Sequence, residues 1–240
     1  NNLKGHNINL RFGSKVSEKF IIDSKITMVK RHFENVFSTG EGFNNPLRYL
    51  YVLPRNIRTE DIKHFEYLNA AGQVRQHYWR WNDNGTGNAY WTRNRVLQPQ
   101  DQWRTIGMLS LKYYLLKNLS IQGRSAIDAS FSQTELKMYN DTYTQAINGG
   151  YTKSNSSSYG WNSDVLVNYN KTFGEFKIDL NAGANNYLTE YQQVGGSGVV
   201  FNIENLFSLS NTKDPRPTES YSKKVVNSAY GFAELSWRDA

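Results

Sequence analysis

Residues 119–131 read LSIQGRSAIDASF, and apolar side chains recur at nearly every second position of this stretch. Leu119, Ile121 and Phe131 fall on one side, whereas Gln122 and Asp128 fall on the other. A β-strand turns successive side chains to opposite faces, so this alternation predicts a strand with one apolar face and one polar face.

The same period of two recurs along the chain, for example in residues 7–12 (NINLRF) and 175–185 (EFKIDLNAGAN). We therefore predict an all-β, antiparallel architecture with about seven strands, several of them longer than the roughly 3–10 residues that are usual in globular proteins. The predicted strands are residues 5–16, 20–34, 103–115, 119–136, 159–172, 175–191 and 223–238.

The connections between these strands alternate in length. Short turns are predicted at residues 16–19, 116–118 and 172–174, and long excursions at residues 35–102, 137–158 and 192–222. Residues 154–158 are predicted to be a polar loop tip. Short periplasmic turns that alternate with long extracellular loops are typical of a transmembrane β-barrel of the outer membrane.

Aromatic residues bracket two of the predicted apolar faces. Trp103 and Tyr113 lie ten residues apart, and Trp161 and Tyr169 bracket another strand in the same way. Ten residues of a strand tilted by about 45° rise roughly 23 Å, which approximates the ~25 Å apolar band between the aromatic girdles of a barrel. The apolar faces are therefore expected to contact lipid.

The opposite faces carry too many charges for the core of a soluble sandwich. We predict that these charged residues face the lumen of the barrel: Arg11, Asp23, Lys25, Arg104, Arg124, Asp128, Asp164, Lys177 and Asp179.

Composition narrows the class of protein. Only 38% of the 240 residues are hydrophobic, cysteine is missing, and the 28 basic residues form no block despite a net charge of +7. No apolar run of about 18 residues exists, so a membrane-spanning helix is excluded. Thiol catalysis and cysteine-based zinc sites are excluded as well, and we expect no nucleic-acid partner.

No catalytic constellation is found, and we predict that the chain is not an enzyme and binds no metal or cofactor. The four histidines show no HExxH spacing, and the glycine-rich residues 195–198 are not followed by a phosphate-binding lysine.

Residues 78–95 form the most suggestive binding segment. The candidate ligand- or partner-binding residues in this extracellular loop are Tyr78, Trp79, Trp81, Tyr90, Trp91 and Arg93. Aromatic rings stack on sugars, and Trp, Tyr and Arg also dominate protein contacts. Three interpretations remain open: a self-packed loop, a contact with a partner protein, and direct contact with a ligand.

Three segments carry a family resemblance. Residues 45–57 (NPLRYLYVLPRNI), the hairpin that contains GMLSLKY (107–113) and LSIQGR (119–124), and residues 229–239 (AYGFAELSWRD) resemble motifs of the SusC/RagA family of TonB-dependent outer-membrane transporters. Their order and spacing also match, and together they span most of the chain.

The resemblance implies that residues 1–240 are part of the β-barrel domain of such a transporter, with about 22 strands in the whole barrel. It implies import of nutrient oligomers, either glycans or peptides, across the outer membrane of a Gram-negative, Bacteroidetes-type cell. The implied partners are a SusD-like surface lipoprotein, TonB, outer-membrane lipid, an oligosaccharide or peptide ligand, and a possible dimer of transporter–lipoprotein pairs. The plug, the TonB-contacting region and a signal peptide are expected to lie outside this sequence.

Two alternatives stay open at this point. A passive outer-membrane porin has the same kind of wall around open water, and a soluble carbohydrate-binding β-sandwich buries its apolar faces against a second sheet.

Overall fold

A computed structural model describes residues 2–78, 87–143 and 145–237 of the chain. Seven long strands form one sheet: β1 (Leu3–Lys15), β2 (Phe20–Phe33), β6 (Gln100–Leu116), β7 (Leu119–Thr142), β8 (Ala146–Phe173), β9 (Phe176–Val199) and β10 (Arg216–Trp237). They pair as antiparallel neighbours in chain order, as expected for an up-and-down barrel wall.

Smaller elements lie between β2 and β6. They are α1 (Pro46–Tyr51), α2 (Thr59–Lys63), β3 (Glu66–Leu68), β4 (Val74–Gln76), α3 (Ala89–Arg95) and β5 (Val96–Leu97), and β5 adds a short pairing to β7. None of the described helices is long and apolar enough to cross a bilayer. A single 3₁₀ turn, Leu209–Asn211, lies between β9 and β10.

The strand registers confirm the predicted alternation. Ile121 of β7 lies opposite both Tyr113 of β6 and Val167 of β8, so apolar residues continue from strand to strand on one face. Leu180 of β9 is 44% exposed and Ile121 is 36% exposed. Among the described residues, no second sheet covers this face, whereas a soluble sandwich would require one.

The polar face is more crowded than the apolar face. Ser110, Ser120 and Asp164 on that face are each less than a tenth exposed, although they lie on the surface of a single sheet. Side chains converge on the inner face of a curved sheet and diverge on its outer face. The burial pattern therefore indicates that the polar face is the inner one.

The predicted excursion 137–158 is wrong. Strands β7 and β8 continue as a hairpin until Thr142 pairs with Ala146, so residues 154–158 lie within β8 instead of at a loop tip. The excursion 192–222 is also shorter than predicted, because β9 extends to Val199 and β10 begins at Arg216. Long strands thus project beyond the apolar band and support the external loops.

The connection between β2 and β6 is a folded unit instead of an open loop. Its core consists of Trp91, Val96, Met138 and Ala146, against which Phe65 and other apolar side chains pack. We refer to residues 34–99, together with the ends of β7 and β8 on which they pack, as the external unit.

Candidate functional site

The external unit is organised around Asn88, which is 2% exposed. Its side-chain oxygen accepts a hydrogen bond from the Tyr90 amide at 2.8 Å and so caps the start of α3. Its Nδ2 donates to the Ile62 carbonyl at 2.9 Å and to the His77 carbonyl at 3.2 Å. One asparagine therefore ties together α2, α3 and the residue that follows β4.

Helix α3 is anchored to the barrel wall by Trp91. The indole is 1% exposed, and its Nε1 donates to Thr142 Oγ1 at 3.1 Å at the end of β7. A buried Trp normally finds a partner for its N–H group, and here that partner belongs to the sheet. The external unit is therefore attached to the strands through its own core.

Charge pairs complete the attachment. Arg95 donates to both carboxylate oxygens of Glu66, at 2.7 and 2.8 Å, and lies over the ring of Tyr139 at 4.9 Å. Arg75 in β4 donates to both carboxylate oxygens of Glu204, at 3.1 and 2.9 Å. The second pair joins the external unit to the segment between β9 and β10.

That segment, residues 200–215, packs on the strands through aromatic rings. Phe207 lies 5.0 Å from Tyr139 and 5.6 Å from Phe201, both edge to face. Edge-to-face rings at this spacing attract each other through their quadrupoles. The two external segments thus form one continuous surface.

Two half-buried polar groups beneath this surface have raised pKa values. Burial raises the pKa of Asp141 above the ordinary carboxyl value, although the backbone N–H of Gln76 donates to its Oδ2 at 2.6 Å. Burial also raises the pKa of Tyr78, whose hydroxyl donates to the Asp141 carbonyl at 2.7 Å. Both side chains are held inside the unit by these bonds.

The structure separates the predicted binding residues. Trp91 is a core residue, so its predicted role at a binding surface is corrected, and Tyr78 is tied to Asp141. Tyr90 is half-buried, and Arg93 on the same helix is exposed. Trp79 and Trp81 lie outside the described residues. A contact of Tyr90 or Arg93 with a ligand or partner stays a prediction.

Sequence analysis missed a different exposed surface on the external unit. Leu47, Leu50, Tyr51 and Val52 in and just after α1 are all exposed, and Tyr51 is 86% exposed. Asn45 caps this helix by accepting from the Leu47 amide at 3.1 Å, and Pro46 follows as the first residue of the helix. The sequence does contain a signal for this surface, because four large apolar residues fall in and just after a helix of only six residues.

The polar face of the sheet holds ordered charge pairs. All nine residues predicted to face the lumen share this face by register. Arg124 donates to Asp164 at 2.9 Å, Arg104 to Asp128 at 2.6 Å and, more loosely, Arg11 to Asp23 at 3.2 Å. Each pair joins neighbouring strands, so these residues fix the register while they present charge to the inner side. That this side lines a lumen stays a prediction.

No family model matches the chain, and no curated protein matches it. Solved structures do match it. A structure of the RagAB peptide transporter superposes with a TM-score of 0.76 at 13% identity and covers 99% of this chain and 26% of the matched chain. Structures of the RagAB peptide importer in its open-open and closed-closed states superpose with TM-scores of 0.75 and 0.74, at 12% and 13% identity; each covers 98% of this chain and 26% of theirs.

The chain has a SusC/RagA-type barrel fold. The resemblance drawn from the three motifs is thereby confirmed at the level of the fold. The chain spans about a quarter of the length of the structures that it matches.

Proposed function

We propose that this chain forms part of the wall and external surface of an outer-membrane importer for nutrient oligomers. The observation that carries the proposal is the pairing of an uncovered apolar face with a crowded, ion-paired polar face on one sheet. Lipid can cover the apolar face without further protein, and a polar inner face suits a passage for hydrophilic solutes. The fold shared with the RagAB structures supports the same conclusion.

Residues 1–240 are in this proposal part of a β-barrel domain in the outer membrane of a Gram-negative, Bacteroidetes-type cell. The plug and the segment that receives energy from TonB belong to other parts of the transporter. The chain contributes lumen-facing charges such as Arg124 and Asp164 and the external unit. It performs no catalysis.

Peptides are the favoured substrate class, with oligosaccharides as the alternative. The solved structures that share the fold are described as peptide transporters and importers, which supports peptides. Arg93 is exposed on the external unit and offers a guanidinium to carboxylates or carbonyls, and Tyr90 lies beside it in the same helix. These two residues are the proposed contacts for the ligand.

A SusD-like surface lipoprotein is the proposed partner, and the α1 surface (Leu47, Leu50, Tyr51 and Val52) is its proposed contact. Exposed apolar clusters that do not face lipid mark protein interfaces. Tyr51 has the character of an interface anchor, since it combines a large apolar ring with a hydroxyl. Two such transporter–lipoprotein pairs form the proposed dimer.

Transport is tested with the full-length protein in a strain from which its gene has been deleted. We expect restored uptake of fluorescent oligopeptides that stops when the proton gradient is collapsed, because import through TonB consumes that gradient. Labelled oligosaccharides of similar size serve as the second substrate. Uptake of both classes that is indifferent to the proton gradient, together with a steady open conductance in planar bilayers, would replace the importer with a passive porin.

The partner contact is tested by Tyr51→Ala with Tyr67→Ala as the control. Both rings are exposed on the external unit, but only Tyr51 belongs to the α1 surface. We expect Tyr51→Ala to reduce the amount of lipoprotein that co-purifies at least tenfold, whereas Tyr67→Ala leaves it unchanged. Equal recovery from both variants would exclude the α1 surface as the contact.

A further inference from the structure

A polar row crosses the apolar face of the sheet on β7 to β10. Ser125, Ser163, Asn186 and Asn227 are aligned by register and occupy positions where the neighbouring rows hold apolar residues. Ser125 and Ser163 contact each other at 3.2 Å, and Trp161 Nε1 donates to Ser125 Oγ at 2.7 Å. The serines are therefore partnered within the protein.

The two asparagines are only partly satisfied. Asn186 Nδ2 donates to Asn227 Oδ1 at 2.6 Å. Within the described part of the chain this is the one hydrogen bond recorded for either side chain. Each amide has two N–H groups and a carbonyl oxygen, so both N–H groups of Asn227, the second N–H group of Asn186 and the oxygen of Asn186 remain free. Both side chains are exposed on the face assigned to lipid.

A groove begins at this asparagine pair and crosses the sheet towards β6. Its volume is about 790 Å³, and its floor includes Gly123, Ala184 and Ala229, while Leu109 and Leu111 line its far end. From β10 to β6 the groove crosses four strand spacings of about 4.8 Å, roughly 19 Å in all. Strands tilted near 45° make such a groove descend about 13 Å, close to the half-thickness of a ~30 Å hydrocarbon core.

The charged residues above the groove set its depth. Lys223 of β10 lies on the same face as Asn227, four residues further out, and is opposite Glu190 of β9. Four strand residues with this tilt correspond to a descent of roughly 9 Å. With these two charged side chains placed among the lipid headgroups, the asparagines lie where ester or amide linkages join headgroups to acyl chains.

We propose that this groove binds one acyl chain of an outer-leaflet lipid, whose ester or amide carbonyl accepts hydrogen bonds from Asn227. This inference rests on the proposed membrane location. A bare hydrocarbon chain would leave the free N–H groups unsatisfied, whereas a carbonyl at the head of the chain satisfies them. The chain then continues along the groove to Leu109 and Leu111 at mid-membrane.

The lipid is detected by native mass spectrometry of the full-length transporter, purified in mild detergent and supplied with a diacyl phospholipid. Asn227→Leu removes the donors, and Ala229→Phe fills the groove. Ala233→Phe is the control, because it adds the same ring to the same face of the same strand outside the groove lining. We expect one retained lipid in the wild type and in Ala233→Phe, and at least a fivefold lower occupancy in the other two.

A second measurement needs no groove variant. Phospholipids brominated on the acyl chain should quench the fluorescence of Trp161 more strongly than that of Trp103. The fluorescence of Trp161 is obtained as the difference between the wild type and Trp161→Phe, and that of Trp103 as the difference between the wild type and Trp103→Phe. Equal lipid retention in all variants, or equal quenching of the two tryptophans, overturns the proposal. The proposal is also overturned if a second copy of the transporter, instead of a lipid, binds this face and its association is lost in Ala229→Phe. Loss of peptide uptake with intact lipid retention would count against the proposed function alone.

Discussion

Arg75 and Glu204 form a two-contact ion pair, at 3.1 and 2.9 Å, between segments that lie 129 residues apart in the chain. The arginine belongs to β4 in the external unit, and the glutamate belongs to the segment between β9 and β10. Their side chains are 21% and 31% exposed, so solvent screens them less than it screens surface pairs. This ion pair therefore connects the two external segments to each other.

Glu204→Gln should loosen the segment at residues 200–215 by about 1–2 kcal/mol, because it removes a charge-assisted, partly buried pair. Hydrogen exchange of that segment in the full-length protein measures the change. Asp61→Asn provides the comparison, since Arg58 and Asp61 form an exposed pair within one short segment whose loss should have almost no effect. A similar response to both substitutions would show that the Arg75 pair does not connect the segments.

The stability of the external unit should depend on pH through Asp141. Burial raises the pKa of this carboxyl, so the folded unit binds its proton more tightly than the unfolded chain does. Its contribution to stability is therefore present at low pH and is lost as pH rises through the raised pKa. Asp141→Asn should flatten this dependence and keep the positive φ of 72°, which Asn tolerates. Limited proteolysis of the wild type and of Asp141→Asn from pH 4 to pH 8 measures this dependence. The same pH profile in both proteins would show that Asp141 is not responsible.

Trp91→Ala should destabilise the external unit by about 3–5 kcal/mol, because it empties the core and leaves Thr142 without its donor. Arg93→Ala on the same helix should change stability by less than about 0.5 kcal/mol, since Arg93 is exposed. The resistance of the external unit to limited proteolysis distinguishes the two variants. Equal resistance of the external unit to proteolysis in both variants would show that Trp91 is not needed in the core, and its predicted role in binding would be restored.

Leu180→Arg and Ile121→Arg should each cost about 2–4 kcal/mol if they lie near the middle of the bilayer, because they place a charge on the lipid side. Gln122→Arg should cost little more than its hydrogen bond to Ser110 Oγ at 2.8 Å, because it lies on the polar face. Refolding titrations into lipid vesicles compare the three. Equal costs would show that the two faces have been assigned wrongly.

Asp164→Asn should cost about 2 kcal/mol, because it leaves Arg124 without its counter-charge beside a site where the carboxylate is only 9% exposed. Asp23→Asn should cost less than about 1 kcal/mol, since Arg11 is 74% exposed and its contact is longer. Equilibrium unfolding of the full barrel in detergent measures both. A larger loss of stability in Asp23→Asn than in Asp164→Asn would contradict this prediction, because it would mean that the more exposed pair contributes more.

The sequence by itself determined the seven main strands, which residues share each of their two faces, and the short turns. These features are local: the period of two is written into residues such as Leu119, Ile121 and Gln122, and a shift of one residue would exchange the faces. The three motifs likewise led to the fold that the RagAB comparisons support. Within the apolar band, one face of the sheet is apolar and the other is polar, so the alternation can be read from the sequence.

Only the tertiary structure decided what lies outside that band. Residues 154–158 are serine-rich and show no alternation, because both faces of an extended hairpin can be polar in water, and their strand is specified by pairing with β7 and β9. Trp91 likewise became a core residue through contacts with Met138 and Ala146, which are about 50 residues away in the chain. A side chain's burial depends on which distant segments pack over it, and no local pattern records that packing.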